Sequence, residues 1–88
     1  MSLNEFEKVV NEFKEKKTFT EEDCDMFISE MKKLNPKIVS DNLTDLMDSV
    51  NNLSEDDRSN HWFVKMMSVT IKSYITMTKF ICETVLAE

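Results

Sequence analysis

Residues 54–86 read SEDDRSNHWFVKMMSVTIKSYITMTKFICETVL, and this stretch decides the fold. It opens on Ser54, a good helix N-cap, and the three acidic residues that follow suit the positive end of a helix dipole. Neither Gly nor Pro interrupts the stretch, and apolar residues crowd it from Trp62 onward. The pattern predicts one long, mostly apolar C-terminal helix, although the β-branched residues at 69–71 would also suit a strand.

Three further helices are predicted from cap signals upstream of that stretch. The first begins at Ser2, with Glu5 three residues later in a capping-box pattern. The second begins at Thr20, with Asp23 at the capping-box position. The third begins at Asn35, which is followed by the chain's one proline at the first helical position. Apolar residues follow each start at the spacing of an amphipathic helix. The residues expected to be buried are Phe13, Phe27, Ile28, Met31, Leu43, Leu46, Val50, Ile71, Tyr74 and Ile81.

The predicted fold class is all-α: a compact antiparallel bundle of four helices, the C-terminal helix being the longest and most apolar. Short connections make neighbouring helices antiparallel. The chain of 88 residues contains no Gly, which argues against β-hairpins, because their tight turns rely on Gly. Its length predicts a single domain over residues 1–88. Residues 1–3 and 88 resemble vector-derived ends, in which case the chain is a fragment of a longer protein.

Charge and composition argue against several classes of function. The net charge of −6 disfavours a nucleic-acid or anionic-membrane partner, because both require a basic surface. Loops that cradle nucleotide phosphates are Gly-rich, and this chain has no Gly. The lysines within the apolar residues 62–87 argue against a transmembrane helix. We therefore expect no cofactor, no nucleic acid and no membrane, and an intracellular, cytoplasmic protein, since the start of the chain does not resemble a signal peptide.

The candidate metal ligands and nucleophiles do not form a known motif. His61, Cys24 and Cys82 match no zinc spacing, and both cysteines lie on apolar stripes. A Cys24–His61 pair lacks a third group to orient it. The acidic runs at 21–23 and 55–57 follow caps, where acids stabilise the helix dipole. We expect neither a metal site nor catalytic residues, and hence no enzyme.

The predicted C-terminal helix carries the candidate binding surface. Residues 62–88 have a charge balance of +1, whereas residues 1–61, with 8 basic and 15 acidic side chains, have −7. The three lysines of the C-terminal part recur at every seventh position, which places them on one stripe of a helix. Trp62 lies near the start of this predicted helix, and Trp is enriched at interface hot spots. The candidate partner-binding residues are Trp62, Phe63, Met66, Lys65, Lys72 and Lys79.

The length of the predicted helix suggests how it is covered. An unbroken helix over residues 55–86 would be ~48 Å long, against ~30 Å for the diameter of a compact domain of this size. The apolar overhang must either kink near residues 59–60 or pair with a second copy. We therefore predict a non-catalytic protein-interaction module that forms a homodimer through its C-terminal helix. The alternative is an acidic inhibitor or nucleic-acid mimic that occupies a basic site on a regulator.

Overall fold

The computed structural model describes residues 4–86, in which all regular secondary structure is helical. The all-α prediction is therefore confirmed, but the described residues form six α-helices in place of the predicted four. Within residues 4–86, no helix has the length and hydropathy needed to cross a bilayer. The helices are α1 Glu5–Lys14, α2 Glu21–Lys32, α3 Pro36–Asn51, α4 Glu55–Asn60, α5 Trp62–Met67 and α6 Ile71–Ile81, and a π-helical turn, Cys82–Leu86, continues α6.

The start of α2 is fixed by the predicted capping box. Thr20 Oγ1 accepts the backbone N–H of Asp23 at 3.3 Å, and the Asp23 carboxylate accepts the backbone N–H of Thr20 at 2.8 Å. The hydrogen bond from the Thr20 backbone, together with the Lys16 ammonium 3.2 Å from the carboxylate, lowers the pKa of Asp23. This pair of bonds satisfies two of the N–H groups that a helix start leaves unpaired.

The other helix starts are capped as their residue types suggest. Asn35 caps α3, and Pro36 occupies its first helical position, as predicted. Ser54 caps α4 through the backbone N–H three residues later, at 3.2 Å. Asn4 caps α1 by accepting the N–H three residues later at 2.7 Å. The predicted cap at Ser2 lies outside the described residues.

The prediction of one long C-terminal helix is wrong, because the chain breaks at His61 and again before α6. His61 has extended backbone angles (φ −69°, ψ 137°), and its Nδ1 accepts the N–H of Phe63 at 3.1 Å. Thr70 is extended as well (φ −145°, ψ 163°), and its hydroxyl accepts the N–H of Ser73 at 2.9 Å. Each side chain thus caps a new helix, and Thr70 lies in the β-branched run at 69–71, where extended angles are favoured.

These breaks remove the predicted overhang. The chain turns at His61, directly after the kink considered near residues 59–60, so the kinked alternative is confirmed. The longest α-helix among the described residues is α3, with 16 residues, whereas α6 has 11 before its π-helical turn of five. The molecule measures 30 × 29 × 23 Å, so no apolar segment among residues 4–86 extends beyond the rest. The length of the last helix therefore no longer argues for a dimer, and any self-association has to be argued from the surface.

The core is centred on Phe27 of α2. Its ring lies 5.4 Å from that of Phe13, 6.0 Å from that of Phe63 and 6.0 Å from that of Trp62, measured between ring centroids. These contacts join α1, α2 and α5. Of the predicted core residues, those found buried are Phe13, Phe27, Ile28, Met31, Leu43 and Val50, while Leu46 and Ile81 are partly buried.

Two predicted core residues lie on the surface instead. Ile71 is 80% exposed and Tyr74 is 54% exposed, so their predicted burial is wrong. Because α6 starts afresh after Thr70, its inner face is formed by Ser73, Met77 and Phe80. Positions 71 and 74 then fall outside the core-facing side of the helix.

Candidate functional site

The outer face of α6 concentrates exposed apolar side chains. Ile71, Tyr74 and Ile75 are three of the six large hydrophobic residues exposed within residues 4–86, and Ile75 is 59% exposed. Residues three and four positions apart on a helix lie side by side, so these three side chains adjoin one another. Apolar residues scattered singly over a surface are ordinary, whereas a contiguous group of them makes a surface a candidate interaction site. We call these three residues the α6 outer face.

A groove runs beside this face, between α2 and α6. One part of about 420 Å³ shares Ile28, Lys32 and Thr76 with a second part of about 330 Å³, so the two are continuous. The floor is apolar, because Ile28 and Phe80 are buried side chains of the core. Its other lining residues include two cations and two anions, namely Lys32, Lys79, Asp25 and Glu83.

Lys72 and Lys79 both lie on α6, but Lys72 forms an ion pair with α2 whereas Lys79 lines the groove. The Lys72 ammonium is 2.7 Å from a Glu21 carboxylate oxygen and so ties α6 to α2. This hydrogen bond raises the pKa of Lys72. Lys79 lines the groove, whereas Lys65 belongs to α5 and lines a separate cavity with the lysines of residues 14–17. The predicted single stripe of three lysines is therefore wrong, because the break between α5 and α6 separates Lys65 from the other two.

The structure assigns two of the predicted anchor residues to the core. Phe63 is 1% exposed and Met66 is fully buried, so both predicted binding residues pack the core and offer no surface to a partner in the folded chain. Trp62 is half-buried; its ring packs on Phe27 and Phe63 and keeps a partly exposed edge. An apolar residue that packs a core and one that binds a partner have the same hydropathy, which is why the sequence did not separate them.

The residues of the outer face were missed, although the sequence contains a signal for them. Residues 71–81 carry apolar side chains on opposite sides of a helix, with Ile71 and Ile75 on one side and Met77 and Phe80 on the other. A helix that is apolar all round is buried on more than one side. Because the packed side of α6 is formed by Ser73, Met77 and Phe80, the opposite side of the helix stays exposed in the folded chain.

The two cysteines play no joint role in the structure. Cys24 is fully buried, its thiol lies 3.6 Å from the Ser73 carbonyl, and burial raises the pKa of the thiol. A buried thiol of raised pKa is a poor nucleophile. Cys82 is exposed on the π-helical turn. In the part of the chain that the structure describes, no three His, Cys, Asp or Glu side chains are arranged to hold a metal ion.

Acidification below about pH 6.5 is expected to weaken the junction between α4 and α5. Burial lowers the pKa of His61 in the folded chain, so at pH values between the folded and unfolded pKa the unfolded chain binds more protons. The contribution of His61 to stability is then complete above the unfolded pKa and is lost as the pH falls toward the folded one. Protonation of Nδ1 also removes the acceptor of the Phe63 N–H. The charged side chains that line the same cavity as His61 are the lysines at 14, 16, 17 and 65 and Glu15.

Urea unfolding at pH values from 5.5 to 8 measures this effect. His61→Asn is the matched variant, because Asn also caps helices but binds no proton in this range. We expect the free energy of unfolding of the natural chain to decrease as the pH is lowered from 8 to 5.5, and that of the variant to stay nearly constant. Asp23, whose pKa is lowered, contributes its full stabilisation throughout this range, and its contribution changes with pH only near and below its unfolded pKa of about 3.9. Equal pH dependence in both proteins would contradict the role given to His61.

The site thus consists of three exposed apolar side chains on α6 and an adjoining groove whose charged lining carries both signs. Such a surface suits the docking of another helical surface, since apolar area supplies the affinity and charge sets the orientation. Comparisons of the chain with protein-family models, with curated proteins and with solved structures found no match.

Proposed function

We propose that this protein is a non-catalytic interaction module that self-associates through the α6 outer face and the adjoining α2/α6 groove. The observation that carries the proposal is the exposure of Ile71, Tyr74 and Ile75 side by side on a helix whose opposite face is already packed. Burying a large aliphatic side chain that was exposed stabilises a complex by about 1.5–3 kcal/mol. Two of the three residues are isoleucines, so covering this face contributes substantially to the free energy of binding.

Charge favours a second copy as the partner. In a twofold dimer every contact is made twice, so a surface that carries both signs can complement itself. Lys79 and Lys32 on one copy can face Glu83 and Asp25 on the other. The surface of α3 is a poorer candidate, because Asp41, Asp45 and Asp48 are all exposed there and two such acidic surfaces repel each other.

The dimensions of the face also suit a pair of helices. Together α6 and its π-helical turn comprise 16 residues, from Ile71 to Leu86, or ~24 Å of helix. This length covers most of one side of a molecule whose longest dimension is 30 Å. A stable interface buries about 800 Å² on each partner, so the proposed interface includes the groove as well as the three side chains of the α6 outer face.

The first test is the absolute mass in solution, measured by light scattering on a sizing column over a dilution series. The proposal predicts a mass near twice the 10.4 kDa of one chain at high concentration, falling toward 10.4 kDa on dilution. Raising the salt concentration should change the midpoint little, because apolar burial supplies most of the affinity. A mass of 10.4 kDa at every concentration would contradict self-association.

A second candidate function, an acidic inhibitor or nucleic-acid mimic, is favoured by one feature of α3. Asp41, Asp45 and Asp48 are all exposed and follow one another at positions i, i+4 and i+7, which places their carboxylates along one face. The exposed acidic turn at residues 55–57 adds to this charge. Binding of a basic partner to such a face should collapse between low and moderate salt, which distinguishes it from apolar docking through α6.

A further inference from the structure

A basic cleft lies where the end of α1 meets α5. Its volume is about 480 Å³, and four of the chain's 11 basic side chains line it, although the net charge is −6. Its lining residues are Lys14, Glu15, Lys16, Lys17, Asn60, His61, Trp62 and Lys65. None of them belongs to the α6 outer face or to the α2/α6 groove, so the cleft is separate from the proposed dimer surface.

The position of these lysines is only partly explained by the fold. Cations near the C-terminal end of α1 favour its helix dipole, which accounts for Lys14. Lys16 pairs with Asp23 at 3.2 Å. Lys17 and Lys65 come from distant parts of the sequence and form no ion pair within residues 4–86. Bringing like charges into one cleft is unfavourable in the free protein, and a bound anion would offset that repulsion.

The cleft also contains rigid polar and aromatic groups. The Trp62 ring is held by Phe27 and Phe63, with centroid distances of 6.0 and 5.5 Å. The Nδ1 atom of His61 accepts a backbone N–H, so the neutral imidazole carries its hydrogen on Nε2 and can donate a hydrogen bond there. The indole N–H of Trp62 is also a hydrogen-bond donor and cannot accept a hydrogen bond. Two lining residues differ: Glu15 is an anion, and the Asn60 amide already donates to the Asp56 carbonyl at 2.9 Å, whereas the other polar side chains of the cleft supply donors and cations.

We propose that this cleft binds a compact phosphate-bearing anion, a di- or triphosphate group, through the ammonium groups of Lys14, Lys17 and Lys65. Lysine binds phosphate as a point charge, and a volume of about 480 Å³ lies within the range of small-molecule sites. A compact anion fits better than an extended polyanion. The reason is that the neighbouring helix α4 exposes the acidic residues 55–57, which would repel any chain that ran past the cleft.

The test is a titration of the whole chain with inorganic pyrophosphate, followed by the fluorescence of Trp62, the chain's one Trp. Inorganic phosphate and a hexaglutamate peptide are the comparison ligands. We expect pyrophosphate to bind about tenfold more tightly than phosphate, because it carries more charge into the same cleft. Binding should also raise the pKa of His61, read from its imidazole signals by NMR, since a bound anion favours the charged imidazole.

Two variants of equal net charge locate the site. Lys17→Gln/Lys65→Gln should weaken pyrophosphate binding at least about tenfold. Lys33→Gln/Lys37→Gln removes the same charge from surface lysines that lie outside the cleft and should keep the affinity within about twofold. Equal weakening in both variants would overturn the proposal in favour of diffuse attraction. Binding of hexaglutamate without pyrophosphate, or no binding of either at millimolar concentration, would overturn it as well.

Discussion

Replacing Phe27 with Ala is expected to lower the free energy of unfolding by about 3–5 kcal/mol. The Phe27 ring is fully buried and contacts aromatic rings of α1 and α5, so its removal leaves a cavity at the point where three helices meet. A domain of this size has a total stability of roughly 5–15 kcal/mol, and the variant therefore loses a large part of it. Guanidinium unfolding, followed by Trp62 fluorescence and by circular dichroism, measures the loss.

The matched control is Phe27→Leu, which keeps an apolar side chain of similar volume. We expect it to cost about 1–2 kcal/mol, because Leu fills most of the space but loses the edge-to-face contact with Phe13. The free energy of unfolding is thus expected to be highest for the natural chain, lower for the Leu variant and lowest for the Ala variant. An Ala variant within about 1 kcal/mol of the natural chain would contradict the central position of Phe27.

Local signals were enough to predict the fold class and most helix starts. A cap acts on backbone groups two or three residues away, so Thr20, Asn35 and Ser54 could be recognised without knowledge of the tertiary structure. The break at His61 could not be recognised in this way. Histidine is not among the preferred N-caps, and its imidazole acts as one here through Nδ1. The apolar pattern on both sides of the break therefore suggested one continuous helix.

The candidate site depended on that error. On one continuous helix, Lys65, Lys72 and Lys79 would share a stripe, and Ile71 would lie in the core. Because of the breaks at His61 and Thr70, α5 and α6 are rotated independently about their axes. The three lysines therefore do not share one face, and Ile71 lies on the surface. The apolar excess of the C-terminal part was enough to propose an interaction there. Which side chains remain exposed depends on packing, which the sequence pattern does not contain.

Replacing both Ile71 and Ile75 with Glu is expected to raise the dimer dissociation constant by about a thousandfold. In the proposed dimer both isoleucines are buried on each of the two copies, so the pair of substitutions acts twice. A loss of about 4 kcal/mol, which corresponds to such a change, requires only about 1 kcal/mol from each of the four positions. Because both side chains are mostly exposed in the single chain, its free energy of unfolding should change by less than about 0.5 kcal/mol per site.

The matched control for this variant is Met26→Glu/Ile38→Glu, which adds the same charge at exposed apolar positions on α2 and α3. Neither residue lines the α2/α6 groove, so this control should dimerise nearly as well as the natural chain. Sedimentation equilibrium at several loading concentrations gives the three dissociation constants. Equal weakening of both variants would show that added charge alone is responsible. If the Ile71→Glu/Ile75→Glu protein had the same dimer dissociation constant as the natural chain, the interface would have to lie elsewhere. Burying two carboxylates against apolar side chains costs free energy, so an interface at this face would be weakened.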